Sequence, residues 1–362
     1  MQGWRLISTW RLDIHRSRMD PLSPIAVLYG AVVRLRGWAY AAGVFPSTKL
    51  QAPVISVGNL AMGGTGKTPT TIALAKRLLD SGCRVAILSR GYMGKHRDGP
   101  LLVSDGQRIC ATASEAGDEP LVIARNLPRA VVAVCKQRAK AGAWLEQHFK
   151  VDVHLLDDGF QHLQLHRDLN LLVIDATDPF AGGLPPRGRL REPLDAISRA
   201  DAVVLTRTEA GQSYTGLVGA IHRYKPGIPC LRVRQKLASL RRLGEDEDLP
   251  MDLLHSLPVM AFAGIGNPPQ FLAALREARI DVAKSVFFPD HHPYRAQDYR
   301  RLEQECEKAK VNTLITTEKD AEKLSAPQFE PRAVFAARVA FEFDDVTELS
   351  RLLSQLVEVA AR

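Results

Sequence analysis

From residue 53 onward, short apolar runs alternate with longer stretches of helical periodicity. PVISV (53–57), RVAILS (84–89), AVVAV (130–134), VDVHLLD (151–157), LNLLVID (169–175) and DAVVLT (201–206) are rich in β-branched residues and nearly free of internal charge. Apolar runs without polar alternation predict strands covered on both faces, and helices between them predict a parallel sheet in an α/β fold. Ligands in such sheets bind beyond the carboxyl ends of the strands. Those ends here carry Asn59, Arg90, Asp157, Asp175 and Thr206.

After Pro229 the pattern changes to an alternating basic stretch, LRVRQKLASLRRL, and then to an acidic break, GEDEDLPMD. A second strand-helix series follows, with PVMAFAGIG (258–266), SVFFP (285–289) and VNTLITT (311–317) as its strands. The chain therefore divides into an N-terminal segment (1–45), a first α/β domain (46–230), a linker (231–257) and a smaller second α/β domain (258–362). No internal repeat or low-complexity tract interrupts this plan.

The N-terminal segment differs in both charge and hydropathy. Residues 1–50 hold Arg5, Arg11, Arg16, Arg18, Arg34, Arg36 and Lys49 against Asp13 and Asp20, so +5 of the chain's formal +8 lies there. PLSPIAVLYGAVV, between Asp20 and Arg34, reaches only about 18 Å as a helix against a hydrocarbon core of ~30 Å. Extending it to Val44 buries Arg34 and Arg36 at about 2.5–3.5 kcal/mol each. A helix lying in the membrane interface fits better. Ile25, Leu28, Val32, Leu35 and Ala39 share its apolar face, Arg34 points away, Arg36 snorkels, and Trp38 and Tyr40 sit at headgroup depth. Residues 1–18 lack the long apolar core of a cleaved signal peptide.

Composition narrows the picture further. At 362 residues, 46% apolar and 24% charged, the chain has room for about two folded domains, and disorder and collagen are excluded. The five cysteines, Cys83, Cys110, Cys135, Cys230 and Cys306, have no paired spacing, so neither a zinc site nor a disulfide framework is expected. The basic excess is not interleaved with aromatic residues as in a nucleic-acid surface, and no nucleic-acid partner is expected.

The strand PVISV leads into GNLAMGGTGKTPTTIALAKRLLDSG. Ala61, Met62, Gly63, Gly64, Thr65, Gly66, Lys67 and Thr68 match the phosphate-loop template G-x-x-x-x-G-K-[ST] except for Ala61 in the first glycine position. Glycines let backbone N–H groups converge on phosphate oxygens, and the helix N-terminus adds partial positive charge. Lys67 is placed to reach the β- and γ-phosphates, and Thr68 to ligate Mg²⁺. Ala61 is compatible with the loop if its φ is negative. Together these features predict a P-loop NTPase-type sheet domain.

A second cluster ends the strand at 151–157. Asp157 and Asp158 in LLDDGFQH stand where a carboxylate holds Mg²⁺ in P-loop enzymes. Extended, the two project to opposite sides; a turn at Gly159 brings both round, and a helix-capping role is the structural alternative. His162 and His166 are four apart, which is a weak metal signal. The expected role of His162 is hydrogen bonding.

The P-loop followed by LDDGFQH resembles the tetraacyldisaccharide 4′-kinase family, which phosphorylates a membrane-embedded glucosamine disaccharide in lipid A synthesis. SRGY (89–92), GDEP (117–120), RGRLREP (187–193), FAGIGNP (262–268), FPDHHPY (288–294) and TTEKDA (316–321) fall in that family's order, and the resemblance spans about residues 22–330. It implies ATP-dependent transfer of the γ-phosphoryl group to the 4′-hydroxyl of the disaccharide 1-phosphate, with ATP and Mg²⁺ as cofactors. It also implies two α/β/α domains joined by a short β linker, an N-terminal amphipathic helix, and a peripheral or monotopic place on the cytoplasmic face of the inner membrane.

The resemblance further implies Asp118 in GDEP as the catalytic base, partnered by a histidine of the DHH motif, assigned to His291 rather than His292. With the two on different domains, the pair is expected to assemble when the cleft closes. Arg90, Gln161, His162, Arg187 and Arg191 are candidates for the sugar, the 1-phosphate or the γ-phosphate, Arg because its planar fork binds phosphate oxygens in pairs, and Glu192 is a candidate for positioning the metal or the substrate. The partners expected are the lipid substrate and an anionic membrane surface, with no obligate protein. The competing reading is a P-loop switch NTPase acting on a protein partner. It leaves the DHH motif and the basic N-terminus unexplained, and TTEKD lacks the lysine of a guanine-reading [NT]KxD motif.

Overall fold

The computed structural model describes residues 23–96, 98–245 and 247–360. Arg5, Arg11, Arg16 and Arg18, and the reading of residues 1–18, lie outside the described residues. In chain order the helices and strands are α1 (Ser23–Ala41), β1 (Val54–Asn59), α2 (Lys67–Asp80), β2 (Val85–Ser89), β3 (Leu101–Asp105), α3 (Ala113–Ala116), α4 (Asp118–Asn126) and β4 (Val131–Val134). Next come α5 (Arg138–His148), β5 (Val153–Asp157), β6 (Leu169–Asp175), β7 (Ala202–Thr206), α6 (Thr215–His222), β8 (Cys230–Arg242) and β9 (Asp248–Leu249). The chain ends with β10 (Val259–Ala263), α7 (Pro268–Glu277), β11 (Val282–Phe287), α8 (Ala296–Ala309), β12 (Thr313–Thr317), α9 (Glu318–Ala321), β13 (Ala333–Phe343) and α10 (Val346–Ala360).

The strands join in the order β11-β10-β12-β13-β8-β7-β6-β1-β5-β2-β4-β3, with β9 paired to β8. The apolar runs read from the sequence become β1, β2, β4, β5, β6 and β7, all parallel and buried as their composition requires. Two strands escape that reading. β3 lies antiparallel on β4 at one edge, and β13 lies antiparallel on β8. The stretch LRVRQKLASLRR is one strand with two attachments: Cys230–Arg232 pair in parallel with β7, and Val233–Arg242 pair with β13. Its alternation reflects a strand with one covered and one wet face.

Ile72, Leu74, Ala75, Leu78 and Leu79 of α2 fall at helical spacing and enter one core with Ile55, Val57, Ile87 and Val132, joined by Leu349 and Leu352 of α10. The opposite face is covered by α5, through Ala141 and Leu145 packed on Leu88 and Leu156. A separate core forms around Val259, Ala261, Ile315 and Leu275 in the C-terminal series.

Helix α1 rests on the segment around residues 184–199. Tyr29 Oη donates to the Arg191 carbonyl at 2.8 Å, and Arg34 Nε donates to Asp195 Oδ2 at 2.5 Å. Ile25, Leu28, Val32, Leu35 and Trp38 stay 57–67% exposed, a continuous uncovered apolar face. Two details of the expected helix change. Ala39 is buried rather than on the outer face, and Arg36 donates to the Gln161 carbonyl at 3.1 Å instead of snorkelling. Among the described residues no helix is long and apolar enough to cross a membrane.

Candidate active site

The P-loop joins β1 to α2. Gly63 and Gly66 have φ of 106° and 90°, a region costly for side-chain-bearing residues. Ala61 is absent from the residues with positive φ and bridges to Leu190, so the departure from the template is accommodated. Gly66 must lack a side chain for a second reason: a Cβ there lies 2.8 Å from the Phe341 ring of β13. Asn59 props the loop from beneath, its Nδ2 donating to the Ala61 carbonyl at 2.6 Å and Thr65 Oγ1 at 2.7 Å. The Thr206 hydroxyl holds the Thr65 carbonyl at 2.8 Å. The first amides of α2 have no carbonyl within the helix to bond and are free for an anion.

The adjacent aspartates take different partners, and Asp158 has a left-handed φ of 50° rather than an extended one. Asp157, at the end of β5, accepts from Thr71 Oγ1 at 2.9 Å. Burial, with the nearby charges of Glu119 and Asp158, pushes its carboxyl up to about 7. Asp158 faces Lys67 Nζ at 3.7 Å and accepts from Arg191 Nη1 at 2.9 Å. Burial opposes its ionisation, but Lys67 and Arg191 outweigh that and lower its pKa. Thr68 is buried at the start of α2. A hydroxyl and two carboxylates are hard oxygen donors of the kind Mg²⁺ takes.

Asp118 opens α4 and is only 5% exposed. Its Oδ1 accepts the Glu119 amide at 2.9 Å, and its Oδ2 accepts from His291 Nδ1 at 3.1 Å. His291 has φ 56° and is held by its own amide on the Gly264 carbonyl at 3.1 Å. Burial works to raise the Asp118 pKa; the His291 hydrogen bond and the charges of Lys319 and Lys323 prevail and lower it. The same hydrogen bond raises His291. His292 is elsewhere, bonded to Asp298 Oδ2 at 3.0 Å. The two halves of the chain therefore meet at Asp118 and His291. Glu119 ties this pair to the P-loop side, because its charge is felt by Asp157.

A family model described as tetraacyldisaccharide-1-P 4′-kinase matches residues 19–358. The chain belongs to the tetraacyldisaccharide 4′-kinase family. A relative of that name from Geobacter metallireducens is 41% identical over 337 residues, covering 93% of this chain and 97% of the relative. Another from Geobacter sulfurreducens is 43% identical over 302 residues, 83% of each chain. The crystal structure of LpxK from Aquifex aeolicus in complex with ATP superposes with a TM-score of 0.75 at 34% identity, covering 93% of this chain and 98% of that one.

The remaining candidates drawn from the family resemblance fall into four groups. Arg191 and Gln161 stand together, Arg191 Nη1 lying 3.5 Å from Gln161 Oε1 while Gln161 Nε2 donates to the Asn59 carbonyl at 2.8 Å. His162 is buried with its Nε2 unpartnered. Burial, then the charges of Arg138, Arg167, Arg36 and Arg90, push its pKa down to about 3, so it is a neutral imidazole at neutral pH. Arg90 and Arg187 are exposed. Glu192 does not join them: it is buried and turned to Arg199 at 2.5 Å, which stacks over Phe160.

Three arginines in this family member were not singled out from the sequence. Arg207 pairs with Asp175 and donates to the Gly64 carbonyl at 2.5 Å. Arg189 donates to the Met62 carbonyl at 3.1 Å and pairs with Asp178 at 2.5 Å. Arg138 is buried near Asp157 and Asp158, and burial together with Arg90 lowers its pKa to about 10. The position of Arg207 directly after a strand end was the available signal.

The TTEKD turn docks α4. Thr317 caps α9, Lys319 pairs with Glu119, and the buried Glu318 accepts from Asn126 Nδ2 at 2.7 Å and Arg338 Nε at 3.1 Å. Glu322 adds pairs to Arg125 at 2.9 Å and Arg241 at 2.7 Å.

Proposed function

We propose that this enzyme transfers the γ-phosphoryl group of ATP to the 4′-hydroxyl of a tetraacyldisaccharide 1-phosphate, the lipid A precursor, with Asp118 as the base. The observation that carries the site assignment is the buried Asp118 carboxylate bonded to His291 across the two halves of the chain. The P-loop amides, the α2 N-terminus and Lys67 bind the phosphates. Thr68, Asp157 and Asp158 would hold Mg²⁺. A divalent cation fits there because it favours the ionised form of a carboxyl that burial and like charge push up to about 7. When bound, the ion offsets negative charge on the phosphate oxygens.

The transition state of phosphoryl transfer is loose, so positioning matters more than base strength. Asp118 accepts the hydroxyl proton as the new bond forms. His291 holds the carboxylate in one orientation and keeps it ionised. Arg191 and Gln161 beside the P-loop, with Arg90 and His162 nearby, form a polar wall for the sugar and its phosphate; Arg187 lines its outer edge.

We also place the enzyme against the cytoplasmic face of the inner membrane, where ATP is available, docked by the outer face of α1. The reading rests on apolar contact from Ile25, Leu28, Val32, Leu35 and Trp38. Arg34 and Arg36 contribute little to it, because both are engaged by the protein. Substituting Leu28, Leu35 and Trp38 together by Ser should release the protein from anionic lipid vesicles in sedimentation while leaving its melting temperature unchanged; undiminished pelleting excludes this face.

The activity is tested by incubating the protein with γ-labelled ATP, Mg²⁺ and tetraacyldisaccharide 1-phosphate in detergent micelles and following label into lipid by thin-layer chromatography. Labelled lipid is expected. ATP hydrolysis that requires a protein partner, with no labelled lipid, contradicts the assignment.

A further inference from the structure

Beside the Asp118–His291 pair stands a lysine to which the reaction as described assigns no role. The Lys323 side chain is 15% exposed, and its Nζ lies 3.8 Å from Asp118 Oδ2, the same oxygen that meets His291. Nζ is shielded from solvent and makes no hydrogen bond. Its closest anion is Asp320 Oδ1 at 3.0 Å, an ion pair out of hydrogen-bond alignment, and the Tyr294 ring centroid is 5.7 Å away. A desolvated ammonium is costly unless its charge is matched. Here the matching charges are Asp320 and Asp118.

Asp320 is itself fixed. Its Oδ2 accepts from the Gly264 amide at 3.0 Å and from Thr317 Oγ1 at 2.7 Å. The Gly264 carbonyl in turn accepts the His291 amide at 3.1 Å. One buried carboxylate thus anchors both the lysine and the loop that carries His291. The other charges facing the pair are Lys319, joined to Glu119, and Asp290, whose Oδ1 is 4.0 Å from His291 Nε2. Lys319 and Lys323 each have a closer anion of their own, Glu119 and Asp320, and the charges of both act on Asp118; the Lys323 ammonium lies 3.8 Å from the oxygen that Asp118 shares with His291.

We propose that Lys323 is a positioning residue that sets the proton count of the Asp118–His291 pair, an inference that rests on reading Asp118 as the base. A carboxylate this buried takes up protons readily in the absence of a compensating cation. A fixed positive charge 3.8 Å from the shared oxygen lowers the proton affinity of the pair as a whole, because coupled groups titrate together. Asp118 then meets the substrate hydroxyl ionised, its geometry fixed through Asp320.

The test follows, on the full chain, the pH dependence of kcat/KM for lipid phosphorylation and the ring titration of His291 by NMR with labelled histidine. Lys323→Met and Lys323→Gln should raise the His291 midpoint and the acidic limb of kcat/KM together, by roughly one pH unit, as loss of one nearby cation does. Both should lower kcat with little change in ATP affinity. Lys323→Arg, which keeps the charge, should restore the wild-type midpoint. If Lys323→Met fails to fold, the Gln and Arg variants decide the matter. A fall in kcat with an unmoved midpoint, or a moved midpoint in Lys323→Arg, overturns the proposal. Turnover retained by Asp118→Asn overturns the base assignment itself, independently of the behaviour of Lys323.

Discussion

The P-loop and the Asp118–His291 pair are built in opposite ways. The loop takes its shape largely from its own backbone: two glycines with positive φ, a helix starting at Lys67, and Asn59 bonded to residues two and six positions ahead. The pair joins residues 173 positions apart, and neither member's own sequence neighbourhood brings it to the other. What brings them together is the dock of α4 on the TTEKD turn, where Glu318 and Lys319 meet Asn126 and Glu119. A phosphate site can thus be specified locally, whereas the proposed proton acceptor depends on the folding of the whole chain.

That contrast is open to direct attack. Asp118→Ala should have the largest effect, lowering kcat about 10³-fold, within the usual range for loss of a general base. Its ATP affinity, measured by calorimetry, should stay within about twofold on the same grounds, since the base touches the acceptor and not the phosphates. Lost ATP binding makes Asp118 a nucleotide or structural residue instead.

Glu318→Ala comes next and strikes the dock rather than the chemistry. It leaves the buried Arg338 guanidinium with Asp248, a half-exposed carboxylate, as its remaining anion, and should cost about 3 kcal/mol in urea denaturation, as removing one member of a buried ion pair does. A loss under about 1 kcal/mol, the scale of a surface pair, shows the dock to be incidental. Lys67→Ala is expected to lose about 10²-fold in kcat, the scale for one preorganised charge at a transferring group, with the urea midpoint unmoved. Near-normal turnover removes Lys67 from the phosphate site.

The smallest effect concerns pH. The folded-state pKa of His291 is raised above 6.5, so its stabilisation is present below about pH 6.5 and is lost as pH rises through the folded value. The Asp118 pKa is lowered below 3.8, so its share is present above that value and is lost as pH falls through the folded one. The destabilisation caused by His291→Gln should therefore be greatest near pH 5, about 1 kcal/mol, and should shrink above pH 8. An equal loss at both pH values assigns the contact to packing, with the Tyr92 ring against His291 as its source.

How far the sequence reading reached follows the same division. The alternation of apolar runs and amphipathic stretches was enough for the parallel strands β1, β2, β4 to β7, β10 and β12, because each carries its burial in its own composition. β13 was missed although AVFAARVAFEF is largely apolar, since its pairing with β8 depends on a segment about a hundred residues earlier. Among site residues, the P-loop and the adjacent aspartates were legible from spacing. Asp118 and His291 came only from family resemblance; in this structure they stand joined at 3.1 Å. Arg207, Arg189 and Lys323 escaped because long side chains reach over distances that sequence spacing does not express.

The attachment of β8 to both β7 and β13 has a consequence for the order in which this protein is made. During vectorial synthesis β8 emerges with β7 already available to hold Cys230–Arg232, but its remaining residues wait for Ala333–Phe343, near the end of the chain. Until then a long basic strand offers unpaired amides and carbonyls, the kind of edge on which nascent chains associate. Arg234, Lys236, Arg241 and Arg242 give that waiting edge a strong positive charge. Like charges on two such edges repel, which opposes their pairing with one another.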